Sequence, residues 1–233
     1  MPFDLSYGKY CDHTVLKAYT TQAMVATFCE EAIHYNAASV CVNPTHVAFV
    51  HEKLKGSGVL TCCVIGFPLG ANKPETKAFE AAQAVRDGAD ELDMVINVGA
   101  LRDGNLSLVR SDIRAVVDAA AGKHVKVIIE TCYLTDEEKR TASRLCEEAG
   151  ATYVKTSTGF GTRGASVEDL QLIRETVSPH IKIKASTDIN TREDAVRLIA
   201  AGAVRLGVSR TPQIVEDDTT LVTATVLNKA PKG

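Results

Sequence analysis

Two lysines and an aspartate stand inside otherwise apolar runs of this chain: Lys155 in TYVKTSTGF, Lys184 in IKIKAS and Asp93 in ELDMVIN. Lysine is depleted in strands and seldom fully buried without a partner. Lys155 falls where an apolar run gives way to a polar loop, a position from which a side chain can either snorkel to water or do chemistry. If the segments carrying Lys155 and Lys184 are neighbouring strands, their ammonium groups disfavour each other's charge, and a low local dielectric adds to the effect. A lysine held as a free amine can attack a carbonyl carbon. A Schiff base formed that way needs protons moved at its carbinolamine, imine and enamine stages, and a carboxylate such as Asp93 can relay them. A structural account stays open beside this one, in which Asp93 only fixes Lys184 inside the protein by a salt bridge. Lys182 shares the parity of Lys184 and is expected lower in the structure or at its rim.

Such residues must be positioned by strands, and the chain supplies eight β-rich runs: residues 11–17, 39–44, 60–67, 91–97, 124–131, 152–159, 181–186 and 203–209. They recur at the spacing of strand-plus-helix units. Helical patterns fill the gaps. Over 105–121 the apolar residues Leu106, Val109, Ile113, Val116 and Ala120 follow an amphipathic period. Thr135, Ser166 and Thr191 each precede an acidic residue three positions on, a helix-start signal. Gly88, Gly150 and Gly202 close helical stretches. A last helix is expected after Thr211. This alternation predicts one α/β domain over 1–233, a closed (β/α)8 barrel, with an open doubly wound sheet as the competitor. The dinucleotide signature GxGxxG is absent after the first strand, which counts against the competitor.

In a (β/α)8 barrel the chemistry sits at the C-terminal ends of the strands. Those ends carry Asp12, Thr14 and Lys17, then Asn43, then Asp93 and Asn97, then Glu130. The later strands add Lys155, Thr156 and Thr158, then Lys184 and Ser186, then Ser209.

Composition narrows the function further. A net charge of −3 over 233 residues gives no reason to expect a polyanion-binding surface, so no nucleic-acid partner is expected. No run approaches 18 apolar residues and no signal peptide opens the chain, which points to a cytoplasmic protein without a membrane partner. The seven cysteines include no CxxC pair and read as buried reduced thiols. Neither HExxH nor a Cys/His metal spacing occurs, so no metal site is expected.

DHTVLK (12–17), VCVNP (40–44), VIGFPLG (64–70), ELDMVINVGAL (91–101), KVIIET (126–131), YVKTSTGF (153–160) and KAS (184–186) together resemble deoxyribose-phosphate aldolase, in order and across nearly the whole chain. The resemblance implies a class I aldolase that reversibly cleaves 2-deoxy-D-ribose 5-phosphate to acetaldehyde and D-glyceraldehyde 3-phosphate, without metal or organic cofactor. It implies that Lys155 forms the Schiff base, that Lys184 perturbs it, and that Asp93 relays protons with a water. It also places Asp12, Thr14, Thr156 and Thr158 at the substrate, Cys41 near the pocket, and Gly207 and Ser209 in the phosphate set. Small aldehydes and sugar phosphates are the implied partners, and the family's dimers make a homodimer one assembly open to this chain. Another lysine-dependent barrel, acting on a different carbonyl compound through an iminium or enamine, is the alternative reading.

The match breaks in two places. After Lys184-Ala185-Ser186 the family usually carries two glycines, an apolar residue and an arginine, where this chain has Thr187-Asp188-Ile189-Asn190. After Gly207 a small residue and a serine pair give way to Val208-Ser209-Arg210. Both breaks fall on loops that commonly bind phosphate in barrels. Asp188 puts a carboxylate where a dianion should sit. Arg210 is expected to pair with Asp188 or to reach the phosphate itself. The expectation is an altered phosphate region and a shift toward unphosphorylated aldehydes.

Overall fold

The computed structural model describes residues 4–223. Eight parallel strands close into a barrel in chain order: β1 Cys11–Val15, β2 Ser39–Val42, β3 Leu60–Ile65, β4 Glu91–Val95, β5 His124–Ile128, β6 Tyr153–Lys155, β7 Lys182–Ser186 and β8 Arg205–Val208. Helices α1 Gln22–His34, α2 Val47–Leu54, α3 Pro74–Arg86, α4 Val98–Arg102 and α5 Leu106–Ala119 serve the first half. The second half adds α6 Asp136–Glu148, α7 Val167–Thr176, α8 Arg192–Ala200 and α9 Thr211–Glu216. The single (β/α)8 barrel predicted from the alternation is the observed fold. The expected last helix is α9, and residues 224–233 lie outside the described part.

The helix-start signals act as expected. Thr135, Ser166 and Thr191 accept the backbone N–H of Glu138, Asp169 and Asp194, satisfying donors that have no partner within the first turn. On α5, Val109, Ile113 and Val116 are buried, whereas Leu106 at its start stays exposed.

Strand parity divides the barrel into two chemically different layers. Outward residues such as Val40, Leu92, Val127, Ile183 and Leu206 join Phe28, Ile113, Leu170 and Leu198 of the helices in one apolar core. Inside the barrel the apolar part is small, formed by Cys41, Cys62 and Val64 with Leu16 and Phe67 against them. Charged side chains fill much of the rest of the lumen. In register, Asp93 lies beside Lys126 across β4–β5, Lys155 beside Lys184 across β6–β7, and Lys184 beside Arg205 across β7–β8. Lys182 opens β7 exposed at the N-terminal rim, its ammonium 5.4 Å from the centre of the Tyr153 ring, where its parity had placed it.

Several strands end earlier than the apolar runs suggest, and the backbone gives the reason. Glu130, two residues past β5, takes a left-handed φ of 55°. Beyond β6, the Thr156 hydroxyl accepts the Ser186 N–H (3.1 Å). Beyond β7, Thr187 and Asp188 are both left-handed, at φ 73° and 61°. Among the described residues, no helix is long and apolar enough to cross a membrane.

Candidate active site

Asp93 is fully buried on β4 and divides its carboxylate between two sets of donors. Its Oδ2 accepts from Lys155 Nζ and from Lys184 Nζ, each at 2.7 Å. Its Oδ1 accepts from Lys126 Nζ at 2.9 Å and from the Cys62 thiol at 3.2 Å. Below it, Lys184 also pairs with Asp12. Lys126 reaches Glu91 at 2.8 Å. Arg205 clamps both Glu91 oxygens at 2.6 Å and Asp12 at 3.0 Å, and Ser39 donates to Asp12 at 2.7 Å.

The charge states follow from this pairing. Burial alone would protonate Asp93, but Lys126, Lys155 and Lys184 outweigh it and hold the carboxyl well below the usual carboxylate range. Burial is likewise overcome at Asp12, which Lys184, Lys126 and Arg205 hold ionised. Lys184, which desolvation would discharge, is kept charged by Asp12 and Asp93, its pKa raised above the ordinary lysine value. The expectation of two mutually repelling ammonium groups is therefore modified: Lys155 and Lys184 meet on one shared carboxylate oxygen. Of the two, Lys184 is locked between two carboxylates, while Lys155 pairs, among the described residues, only with Asp93 and reaches the cavity above.

That cavity has a volume of about 570 Å³ and opens at the C-terminal ends of the strands. Lys155 and Ser186 lie on its floor. Thr14, Thr158, Gly207 and Ser209 line its walls. The Ser186 hydroxyl is buried there without a hydrogen-bond partner. Thr158 is fixed by Glu130, which accepts its backbone N–H at 3.1 Å and also its hydroxyl. Lys17 and Phe160 meet at the mouth, 4.9 Å from ammonium to ring centre. Asp12, Cys41 and Thr156 do not line the cavity. Asp12 is ion-paired beneath Lys184, Cys41 is fully buried in the small lumen cluster, and Thr156 is buried with its hydroxyl bound to the Ser186 backbone.

Thr187, Asp188 and Arg210 belong to the wall above Ser186 and Gly207. Asp188 is exposed, and its Oδ2 accepts the Gly164 N–H at 2.7 Å. Among the described residues it forms no ion pair with the half-buried Arg210, so the expected pairing gives way to a bond with backbone. Thr187 and Asp188 keep a left-handed backbone of the kind glycine adopts without strain.

Sequence reasoning passed over Lys126, Glu91, Arg205, Ser39 and Cys62 as functional candidates. The signal was present: Glu91 shares the parity of Asp93, and Lys126 is a charge at an inward position of an apolar strand. The thiols are all free; Cys132 is partly exposed and the other six are buried. Cys41, Cys62 and Asp93 bring potential metal-ligand atoms within 4.8 Å of one another. The Asp93 oxygens there are already bound by three ammonium groups, and a divalent cation would have to displace them, so this donor set does not suit a metal.

The chain matches the family model described as DeoC/LacD family aldolase over residues 8–209. It is 59% identical to the deoxyribose-phosphate aldolase of Geobacillus sp. (strain WCH70) over 91% of this chain and 96% of that protein. It is 57% identical to the deoxyribose-phosphate aldolase of Exiguobacterium sibiricum over 89% of this chain and 95% of that one. Among solved structures, the tetrameric deoxyribose phosphate aldolase of Aeropyrum pernix superposes with a TM-score of 0.86 at 30% identity, covering 94% of this chain and 93% of its own. A lysine pair on a shared carboxylate beneath a barrel-mouth cavity, together with identity of this extent, leads to one conclusion: the chain belongs to the DeoC/LacD family of aldolases.

Proposed function

We propose that this aldolase works through a Schiff base on Lys155 and reversibly cleaves 2-deoxy-D-ribose 5-phosphate, or its unphosphorylated counterpart, to acetaldehyde and a glyceraldehyde product. The observation that carries the reading is the sharing of Asp93 Oδ2 by Lys155 and Lys184 at 2.7 Å each, directly under the cavity. Lys155, as the free amine, adds to the aldehyde carbon of the open-chain sugar. Loss of water from the carbinolamine gives an iminium, which draws electrons from the bond between C2 and C3. As that bond breaks, the C3 hydroxyl gives up its proton and leaves as the carbonyl of the glyceraldehyde product. The remaining enamine is protonated at C2, and water releases acetaldehyde and restores the amine.

Each stage moves a proton at or near the Lys155 nitrogen. Asp93 supplies a carboxylate beside it, and Lys184 supplies a fixed ammonium on the same oxygen. Thr14 and Thr158 line the cavity, which supports a role for them at the sugar hydroxyls, and Gly207 and Ser209 line it on the side read as the phosphate region. Asp12 and Thr156 act from below by holding Lys184 and Ser186. No metal or organic cofactor is needed for these steps. A cytoplasmic location accords with this reading, and a homodimer is one assembly open to the chain.

The test is borohydride reduction in the presence of acetaldehyde, followed by peptide mass analysis. An adduct on Lys155 is expected; an active preparation without one would refute the assignment.

Thr187-Asp188 and Arg210 favour a second reading of the substrate's tail. Here the phosphate region is altered and unphosphorylated aldehydes are accepted at least as well as phosphorylated ones. Comparing kcat/KM for 2-deoxyribose 5-phosphate and 2-deoxyribose decides it. A phosphate preference of about 100-fold, equivalent to about 2.7 kcal/mol, would show a working anion site. A lysine-dependent barrel acting on some other carbonyl compound would trap aldehydes on Lys155 yet cleave neither sugar.

A further inference from the structure

The lumen network is not charge-neutral. Asp12, Glu91 and Asp93 face Lys126, Lys155, Lys184 and Arg205. With its thiols uncharged, the cluster therefore carries one positive charge in excess among the described residues. It loses that excess when one cation gives up its proton. Lys184 is held by two carboxylates, Arg205 clamps Glu91 and Asp12, and Lys126 contacts all three carboxylates. Lys155 has Asp93 alone and is the one that meets the cavity.

We propose that Lys126 is a positioning residue that keeps Lys155 available as a free amine, through the positive excess it gives the lumen and its hold on Asp93 Oδ1. It does not line the cavity and touches no substrate. Its ammonium is fully buried and meets Asp93 at 2.9 Å, Glu91 at 2.8 Å, Asp12 at 3.7 Å and the Cys62 sulfur at 3.4 Å. By taking Oδ1 it fixes the rotation of the Asp93 carboxylate, leaving Oδ2 to the two other lysines.

The charged and titratable groups around this pair come from every strand. Asp12 stands on β1, Cys41 on β2 and Cys62 on β3, with Glu91 and Asp93 on β4. Tyr153, whose ring centre is 5.9 Å from the Lys126 ammonium, stands on β6, Lys184 on β7 and Arg205 on β8. Above Lys155 the same cavity carries Lys17, Asp188 and Arg210. Among the described residues, only Lys126 and Arg205 place a positive charge in the lumen without also contacting Asp93 Oδ2. Arg205 spends its charge on Glu91 and Asp12.

The sign of the effect is fixed by the count. Removing the Lys126 charge makes the cluster neutral with Lys155 protonated, so Lys155 keeps its proton to higher pH. Removing the Glu91 charge raises the excess, so Lys155 gives its proton up at lower pH. The inference rests on the Schiff-base reading of Lys155.

The test is the pH dependence of acetaldehyde trapping on Lys155 by cyanoborohydride, followed by peptide mass, in K126Q, K126R, E91Q and the unaltered chain. K126Q should move the half-maximal pH up by about one unit or more, E91Q should move it down, and K126R should hold it in place. Midpoints that stay together, or that move the same way in K126Q and E91Q, would overturn the proposal even if both variants lose rate. Should K126Q fail to fold by circular dichroism, E91Q alone decides: a downward shift supports the proposal and an unmoved midpoint overturns it. Absence of any adduct in the unaltered chain would instead remove the proposed nucleophile, and this inference with it.

Discussion

Replacing Asp188 with Asn isolates one charge on the cavity wall. Asn keeps the length of the side chain and an oxygen that can still accept the Gly164 N–H now bound at 2.7 Å. The loop should therefore hold its shape. What changes is one negative charge on the wall that would face the substrate's phosphate. Two unit charges about 4 Å apart repel by about 1 kcal/mol in bulk water and about 4 kcal/mol at an effective dielectric near 20. Asp188 is exposed, which places it near the weaker limit. A dianionic phosphate roughly doubles that limit, giving about 1–2 kcal/mol. D188N should thus raise kcat/KM for 2-deoxyribose 5-phosphate by about 5- to 30-fold and leave that for 2-deoxyribose within about twofold. The assay is coupled detection of acetaldehyde with both substrates at low and high salt. The gain should shrink toward 1 M salt, where the screening length falls to about 3 Å. Equal changes for both sugars, or a gain indifferent to salt, would refute the argument and point to loop shape as the controlling factor.

Two further outcomes are expected. Lys184→Met leaves Asp12 and Asp93 short of a partner inside the barrel, which costs about 3–5 kcal/mol of stability and is read from urea unfolding. Both aspartates have folded pKa values depressed below the unfolded value, so the stability they contribute is complete above about pH 4 and is lost as pH falls below it. The unaltered chain should therefore resist acid down to that range, and the variant's deficit should narrow below it, as followed by circular dichroism across a pH series. Ser186→Ala removes a buried hydroxyl that has no partner in the free protein, so stability should hold or rise slightly. If the hydroxyl binds substrate, kcat/KM falls by about fivefold, the worth of one net hydrogen bond of about 1 kcal/mol; an unchanged value would show that it does not.

The barrel was legible because each strand-plus-helix unit carries its own signals: an inward–outward alternation, a capped helix start and a glycine stop. That Lys155, Lys184 and Asp93 belong to one cluster was legible for a related reason, since all three are charges at inward positions of apolar strands. Partnership was not. That Lys155 and Lys184 share one oxygen, or that Arg205 reaches across to Glu91, depends on closure of the barrel between residues more than 90 positions apart in the chain for Lys184–Asp93 and Glu91–Arg205. Asp188 shows the same limit. Its charge and its place just past Lys184-Ala185-Ser186 were readable, but its bond to Gly164 depends on how two loops meet.

The ionic filling of the lumen has a thermal consequence. Apolar surface exposed on unfolding raises the heat capacity by about 0.45 cal/K/mol/Å², whereas polar surface lowers it by about 0.26. Here the apolar core lies between strands and helices, while the strands' inner faces release carboxylates, ammonium groups and a guanidinium to water. The two layers therefore contribute with opposite sign. The stability of this barrel should vary less steeply with temperature than that of a barrel of equal size packed inside with valine and leucine. The cost of keeping those ions dry also falls as temperature rises, so the ion network beneath the cavity becomes less costly to bury as the protein warms.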